Sequence, residues 1–174
     1  TTVGVGEWAT TTLGMGSGTE LKVLKEIRFP HSLGLLYSAF TYFLGFKVSS
    51  GEYKLMGLAS YGNPQSAHFQ RFSKFIYEQL TDLKPDGSLR LNLQHFSYPY
   101  ALRMVDDRHW TKLLGLPKRH PSEPFTKQHA DLALAIQRFT EDTVIRMANE
   151  LQQLTGLKQL CLAGGVALNG VANG

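Results

Sequence analysis

The last third of the chain constrains the fold most. Ile136, Thr140, Val144, Met147, Leu151 and Leu154 recur at spacings of three and four residues, with Gln, Arg and Glu between them. That is the pattern of a helix with one mostly apolar side. Thr126 stands where a cap is needed at its start, and Thr155-Gly156 ends it near Leu154, glycine supplying the left-handed closing conformation. After a short connection, Gln159–Ala163 reads as an apolar strand that packs near this helix, and Gly164-Gly165 leads on into a further helical segment. A helix–strand–glycine unit after a run of strands and helices makes the chain α/β or α+β.

Upstream, Val3–Thr12 and Glu20–Phe29 read as an antiparallel hairpin, with Gly14-Met15-Gly16-Ser17-Gly18 as a long, flexible turn. Pro30 stops the second strand, and Ser32 is placed to cap a helix from Leu33 to about Phe46. Two helical turns are expected around Tyr53–Ala59. A longer helix is expected over Ala67–Leu80, with Phe69, Phe72, Phe75 or Ile76, and Leu80 on one side. Lys84-Pro85-Asp86-Gly87 is a turn by composition, and Ser88–Leu93 a short strand. Pro99, Pro117, Pro121 and Pro124 break residues 95–125, leaving a short helix near Asp106–Leu114 and marking a variable region.

The 174 residues, 43% hydrophobic and 18% charged, describe a globular domain or a large part of one. A net charge of +4 is mild, and Lys118-Arg119-His120 is the densest basic run, so no nucleic-acid partner is expected. The most apolar stretch, Leu33–Val48, is shorter than the ~20 apolar residues of a membrane span and reads as a buried helix. The first residues show no basic stretch followed by an apolar one, so no secretory signal is read from them. One cysteine, Cys161, excludes an internal disulfide, and its apolar neighbours suggest a core position rather than a nucleophile. A cytoplasmic protein with no membrane partner is the expectation.

Three segments can carry chemistry. In Leu160–Asn169 the paired glycines let a ligand approach the main chain, helix-terminal N–H groups favour phosphate, and Asn169 can bond a base, ribose or phosphate. A tight strand–helix turn accounts for the same residues. In Phe29–Ser38, His31 and Ser32 stand where a strand gives way to a helix, as site residues or as a turn histidine and a cap. In Gly51–Gly62, Glu52 and Lys54 can serve ribose hydroxyls and phosphates, or form a solvated ion pair. The six histidines show no HxxxH or HExxH pair, and there is no Walker A run, CxxC pair or GxSxG elbow.

Phe29–Tyr42, Ser50–Ala59 and Cys161–Gly174 together closely resemble the O-carbamoyltransferase family, which includes nodulation-factor and antibiotic carbamoyltransferases. Gly4–Thr11 and His129–Ala133 add to the likeness, in colinear order along nearly the whole chain. The resemblance implies that residues 1–174 are a single partial domain, the central part of an N-terminal actin-like ATPase domain related to sugar kinases and heat-shock ATPases. A mixed sheet with packed helices follows. It implies that carbamoyl phosphate and ATP give a carbamoyl-adenylate, made with a YrdC-like C-terminal domain that is not in this chain. The carbamoyl group then passes to a hydroxyl of a sugar or secondary metabolite, a divalent metal such as iron polarising the mixed anhydride.

Carried over by motif, Gly164, Gly165 and Asn169 match the adenosine-binding segment. His31, Ser32 and Gly34 match the loop lining the adenylate, and Glu52 and Lys54 a segment near ribose and phosphates. The resemblance also marks departures. Val3 stands where relatives carry a metal-ligating Asp, the family's metal-binding histidine pair lies upstream, and Gln94 replaces an acidic residue of some members. No metal ligand and no catalytic residue is assigned within the chain, and the isolated chain is expected to be inactive. Two readings stand: part of a carbamoyl-transferring enzyme, or a non-catalytic nucleotide-binding or interaction module of the same fold. The acceptor and the oligomeric state are left open.

Overall fold

A computed structural model describes residues 1–174. Its axis is a 29-residue helix, α5, over Lys127–Thr155, roughly 44 Å long at 1.5 Å per residue. Thr126 caps it as expected: its Oγ1 accepts the His129 N–H, and His129 Nδ1 accepts the Thr126 N–H at 3.0 Å. Gly156 closes it at φ 70°. The single apolar stripe describes only part of this helix. Residues from His129 through Gln137 are all buried, whereas Leu154, at the far end of the stripe, is 49% exposed. The first half is surrounded because α1 (Leu33–Phe43), α2 (Glu52–Ala59) and α3 (Ala67–Phe75) all pack on it.

The core is aromatic. Trp110 of α4 (Asp107–Leu114) is fully buried, with Phe40 at 5.0 Å, Phe43 at 5.5 Å and Phe96 at 5.9 Å between ring centroids. Its indole N–H is not stranded, donating to the His95 carbonyl at 2.7 Å. Leu132, Ile136 and Phe139 of α5 join Leu36, Leu55 and Phe72 in the same cluster. Asp131, buried in α5, accepts the Asn63 N–H and the Ser66 hydroxyl, each at 2.7 Å, and so fixes the start of α3.

The hairpin forms, with different limits. Strands β1 (Ala9–Ser17) and β2 (Glu20–Arg28) are antiparallel, and the turn is only Gly18-Thr19, with Gly18 at φ 59°. Gly14–Ser17, expected as a flexible turn, is strand paired to Glu20–Val23. The first residues are not a continuation of β1. Thr1–Val3 doubles back along Thr10–Thr12, with Val3 N–H donating to Thr10 O at 2.9 Å. Gly4 and Gly6 occupy the intervening bend.

Ser32 caps α1 as its position predicts, Oγ accepting the Leu35 N–H at 3.0 Å. The helix stops at Phe43, short of Phe46, where Arg119 takes the Leu44 carbonyl and Gly45 turns left-handed. The Ala67–Leu80 helix divides into α3 and a π-helical turn, Ile76–Leu80, which delivers the chain into β3 (Thr81–Leu83). That strand pairs with β4 (Leu89–Leu91) around the expected Lys84–Gly87 turn. Three residues are too few to announce a strand by alternation. The basic run is structural. Arg119 is buried, donating to Leu44 O at 2.7 Å with Phe125 at 3.9 Å, while Lys118 lies over Tyr42 and pairs with Asp107.

The largest departure is at Gln159–Ala163. These residues are exposed and form no strand, although Leu160–Ala163 share a pocket with Thr12–Gly14 of β1. Their one main-chain bond to another element runs from Thr2 N to Ala163 O at 2.9 Å. An apolar run becomes a strand only where a neighbour satisfies its N–H and C=O groups. Cys161 is accordingly exposed, not core. The following helical segment is a 3₁₀ turn, Gly165–Leu168. The result is a mixed α/β chain with five α-helices and two two-stranded sheets. No helix is long and apolar enough to cross a membrane.

His31, His95 and His129 all titrate below the ordinary histidine value of 6.5, chiefly because burial disfavours the imidazolium. Arg90, His109 and Arg119 respectively add repulsion. The folded state therefore binds fewer protons than the unfolded chain just below pH 6.5. Stability should be complete well above that pH and decline as pH falls from about 6.5 toward 5, a window in which most carboxylates stay ionised. Urea unfolding followed by Trp110 fluorescence measures it. A pH-independent midpoint contradicts this assignment.

Candidate functional site

Three stretches distant in sequence converge on one open cavity of about 380 Å³. The N-terminal part of α1 supplies Gly34, Tyr37 and Ser38. The α1–α2 loop and α2 supply Ser49, Ser50, Glu52, Tyr53 and Met56. Gly165, Val166, Leu168 and Asn169 form the facing wall, with Thr140 of α5 behind. The volume lies within the range of small-molecule sites.

Gly34 is required by close approach: a Cβ there would lie 2.7 Å from Gly4 N and 2.8 Å from Gly4 Cα and Val3 C. Ser32 strengthens this junction, its hydroxyl lying 2.7 Å from Gly4 O and 3.0 Å from Val3 O. Glu52 opens α2 and organises the rim. Its carboxylate accepts from Ser38 Oγ (2.9 Å), Ser49 N (2.9 Å) and Gly51 N (3.1 Å). Ser49 is the one non-glycine residue with positive φ, at 66°, so the carboxylate holds a turn that the backbone would not favour alone.

Behind the Gly165–Asn169 wall is a buried polar network. Gln137 and Asn169 form a reciprocal amide pair, Nε2 to Oδ1 at 3.1 Å and Nδ2 to Oε1 at 2.9 Å. Tyr37 donates its hydroxyl to Gln137 Oε1 at 3.0 Å, and Gln137 Nε2 also donates to Glu141 at 3.0 Å. Burial holds the Tyr37 phenol far above the ordinary tyrosine range, so it remains a neutral donor. Among the cavity-lining residues Glu52 carries the sole formal charge, and no Lys, Arg or His joins it. Such a site suits a neutral, hydroxyl- and amide-recognising ligand portion better than a run of phosphates.

The family model of the carbamoyltransferase N-terminus matches this chain over residues 1–174. The chain belongs to that family. It is 53% identical over 171 residues to an uncharacterized protein of Synechocystis sp., which covers 98% of this chain and 27% of that protein. The nodulation protein NolNO of Sinorhizobium fredii is 37% identical over 98% of the chain and 22% of its own length. The nodulation protein NolO of Bradyrhizobium diazoefficiens is 33% identical over 98% and 28%. The chain thus spans about a quarter of the length of these relatives.

Of the residues singled out from the sequence, Gly34, Glu52, Gly165 and Asn169 line the cavity. Gly164, at φ 100°, instead packs its backbone against Thr2 and Val3. Ser32 is consumed by capping. His31 turns away, its Nδ1 accepting the Leu91 N–H at 3.1 Å. Lys54 lies outside the cavity beside the Tyr53 ring, 5.8 Å from its centroid, and forms no ion pair with Glu52. Gln137 and Tyr37 were not anticipated. A lone glutamine amid Leu, Ala and Ile was the available signal, because a buried amide demands partners.

The family resemblance implies a metal, but this chain's residues do not fit one. Nowhere do three His, Cys, Asp or Glu side chains converge, and Val3 offers an apolar side chain packed toward Gly164. Glu52, the cavity's carboxylate, already accepts three hydrogen bonds from its own loop and α1.

Two glycine substitutions should behave oppositely. Gly34→Ala should destabilise by about 1–3 kcal/mol through overpacking against Gly4. Gly165→Val should change stability by less than about 0.5 kcal/mol, since a Cβ there meets nothing within 4 Å and faces the cavity. Urea denaturation of both variants checks this; equal losses would contradict the packing described.

Proposed function

We propose that this chain is part of an O-carbamoyltransferase and that its cavity holds the nucleoside portion of an ATP-derived carbamoyl-adenylate. Membership of the carbamoyltransferase N-terminal family supports the reaction class. The observation carrying the site is the convergence of Gly34, Glu52, Gly165 and Asn169 on one cavity rich in hydroxyl groups and without a cation. Glu52 retains one acceptor position for a ribose hydroxyl, and Tyr53, 64% exposed at the rim, offers an aromatic face to a base. The fold is then a fragment of the actin-like ATPase type.

In this reading the chain binds and orients the nucleoside. Carbamoyl phosphate and ATP would supply the mixed anhydride, and an acceptor hydroxyl would attack its carbamoyl carbon with AMP as leaving group. Phosphate-binding cations, metal ligands and the YrdC-like domain belong to other parts of the intact protein. Proximity and orientation are what the cavity contributes, and they are substantial terms in group transfer.

Calorimetry on the intact protein tests the reading. Adenosine and ATP should both bind, and Gly165→Val should weaken both by about tenfold or more, equivalent to ~1.4 kcal/mol. Unchanged affinity in the folded variant would reject the cavity as the nucleotide site. Turnover of carbamoyl phosphate and ATP with a panel of hydroxyl acceptors tests the activity. Nucleotide binding without any transfer would favour the non-catalytic module.

A further inference from the structure

Gln137 lies in the most enclosed part of α5, yet every polar position of its amide is used. Oε1 accepts from Tyr37 Oη and Asn169 Nδ2, and Nε2 donates to Asn169 Oδ1 and Glu141 Oε1. The polarity of the set is fixed from one end. A carboxylate at Glu141 only accepts, so the amide nitrogen of Gln137 faces it and the oxygen faces Tyr37. Asn169 must then present Oδ1 to Gln137 Nε2, and the same Oδ1 also accepts the Ala172 N–H at 3.1 Å. One amide hydrogen of Asn169 is left uncommitted beside the cavity.

The Gly165–Leu168 turn has few other ties. Val166 N–H donates to Thr2 O at 3.1 Å, and the remaining main-chain bonds of residues 165–173 are local. A wall with so little regular structure takes its position from side chains.

We propose that Gln137 is a positioning residue: through Asn169 it sets the place of the Gly165–Asn169 wall and the orientation of the donor that Asn169 shows to the cavity. This rests on the reading of the cavity as a nucleoside site for its ligand, although not for its structural part. Gln137 touches no ligand in this scheme. It acts by fixing a neighbour, which a buried, fully satisfied network does better than isolated pairs.

The test uses the intact protein with Gln137→Leu, Gln137→Glu, and the exchanged pair Gln137→Glu with Glu141→Gln. Leucine removes all four bonds. Glutamate keeps the shape but faces Glu141 with a like charge and donates nothing to Asn169. The exchanged pair removes the like-charge contact and restores an amide opposite a carboxylate, with Tyr37 Oη and Asn169 Nδ2 still donating to residue 137, while Asn169 Oδ1 keeps only the Ala172 N–H. Hydrogen exchange over residues 165–173 is the first readout, with the Ala172 amide as its most direct reporter. Adenosine affinity is the second.

Either single variant should speed exchange there and weaken adenosine by about tenfold, the scale of a lost hydrogen bond in a buried network. The exchanged pair should recover part of both, since it relieves the charge repulsion but not the lost donor to Asn169 Oδ1. If the leucine variant does not fold, the glutamate variant and its rescue decide the matter. Exchange and adenosine affinity unchanged in a folded variant would overturn the proposal, as would an equal loss in the exchanged pair. A protein that binds no adenosine even unsubstituted would reject the nucleoside reading, while exchange would still decide the role of Gln137.

Discussion

Much of this molecule hangs on the contact between the Thr2–Gly4 segment and two glycines that could not be larger. Thr2 receives the Val166 N–H and donates to Ala163 O, Val3 donates to Thr10 O, and Ser32 bonds Val3 and Gly4 carbonyls. Gly34 and Gly164 let that backbone pass against α1 and the C-terminal turn without a Cβ in the way. Hairpin, α1 and the Gly165–Leu168 turn thereby share one junction, and the cavity opens beside it. Bulk added at either glycine would separate the walls before touching any ligand.

The chemistry of the cavity follows from what the core allows. α5 passes behind it with its first half enclosed, and polar groups survive there only with complete sets of partners. Gln137, Tyr37 and Asn169 meet that demand by bonding one another. The one charge, Glu52, stays at the rim, where the Ser49 and Gly51 N–H groups stabilise it. An uncharged, hydrogen-bonding hollow with a carboxylate at its edge suits a neutral, hydroxyl-bearing ligand portion more than phosphates. This agrees with Lys54 standing outside.

Local signals were legible where one residue decides a local geometry. Ser32 and Thr126 cap their helices, Gly156 closes α5, and α4 emerges between the prolines at Asp107–Leu114. Part of the candidate site was legible too: Gly34, Glu52, Gly165 and Asn169 line the cavity, through glycines and polar side chains in recognisable segments. His31 and Lys54 failed because sequence adjacency does not set direction: one faces β4, the other solvent. Gly14–Ser17 failed because glycines that suit a turn also suit a strand whose partner comes close, a Cβ on Gly14 meeting Lys22 O at 2.7 Å.

The sequence by itself determined where α1 and α5 begin and where α5 ends, the α/β character of the chain and its likeness to the carbamoyltransferase family. Caps, closing glycines and apolar periods act within a few residues, and so they can be read in order. Tertiary structure alone decided that Gln159–Ala163 lacks a sheet, that Cys161 is exposed and that Gln137 reaches Asn169 across 32 residues. Each of these depends on which group arrives from elsewhere to satisfy a main-chain or amide hydrogen bond. Such an arrival is a property of the packed chain, since a donor or acceptor carries no record of its partner's place in the sequence.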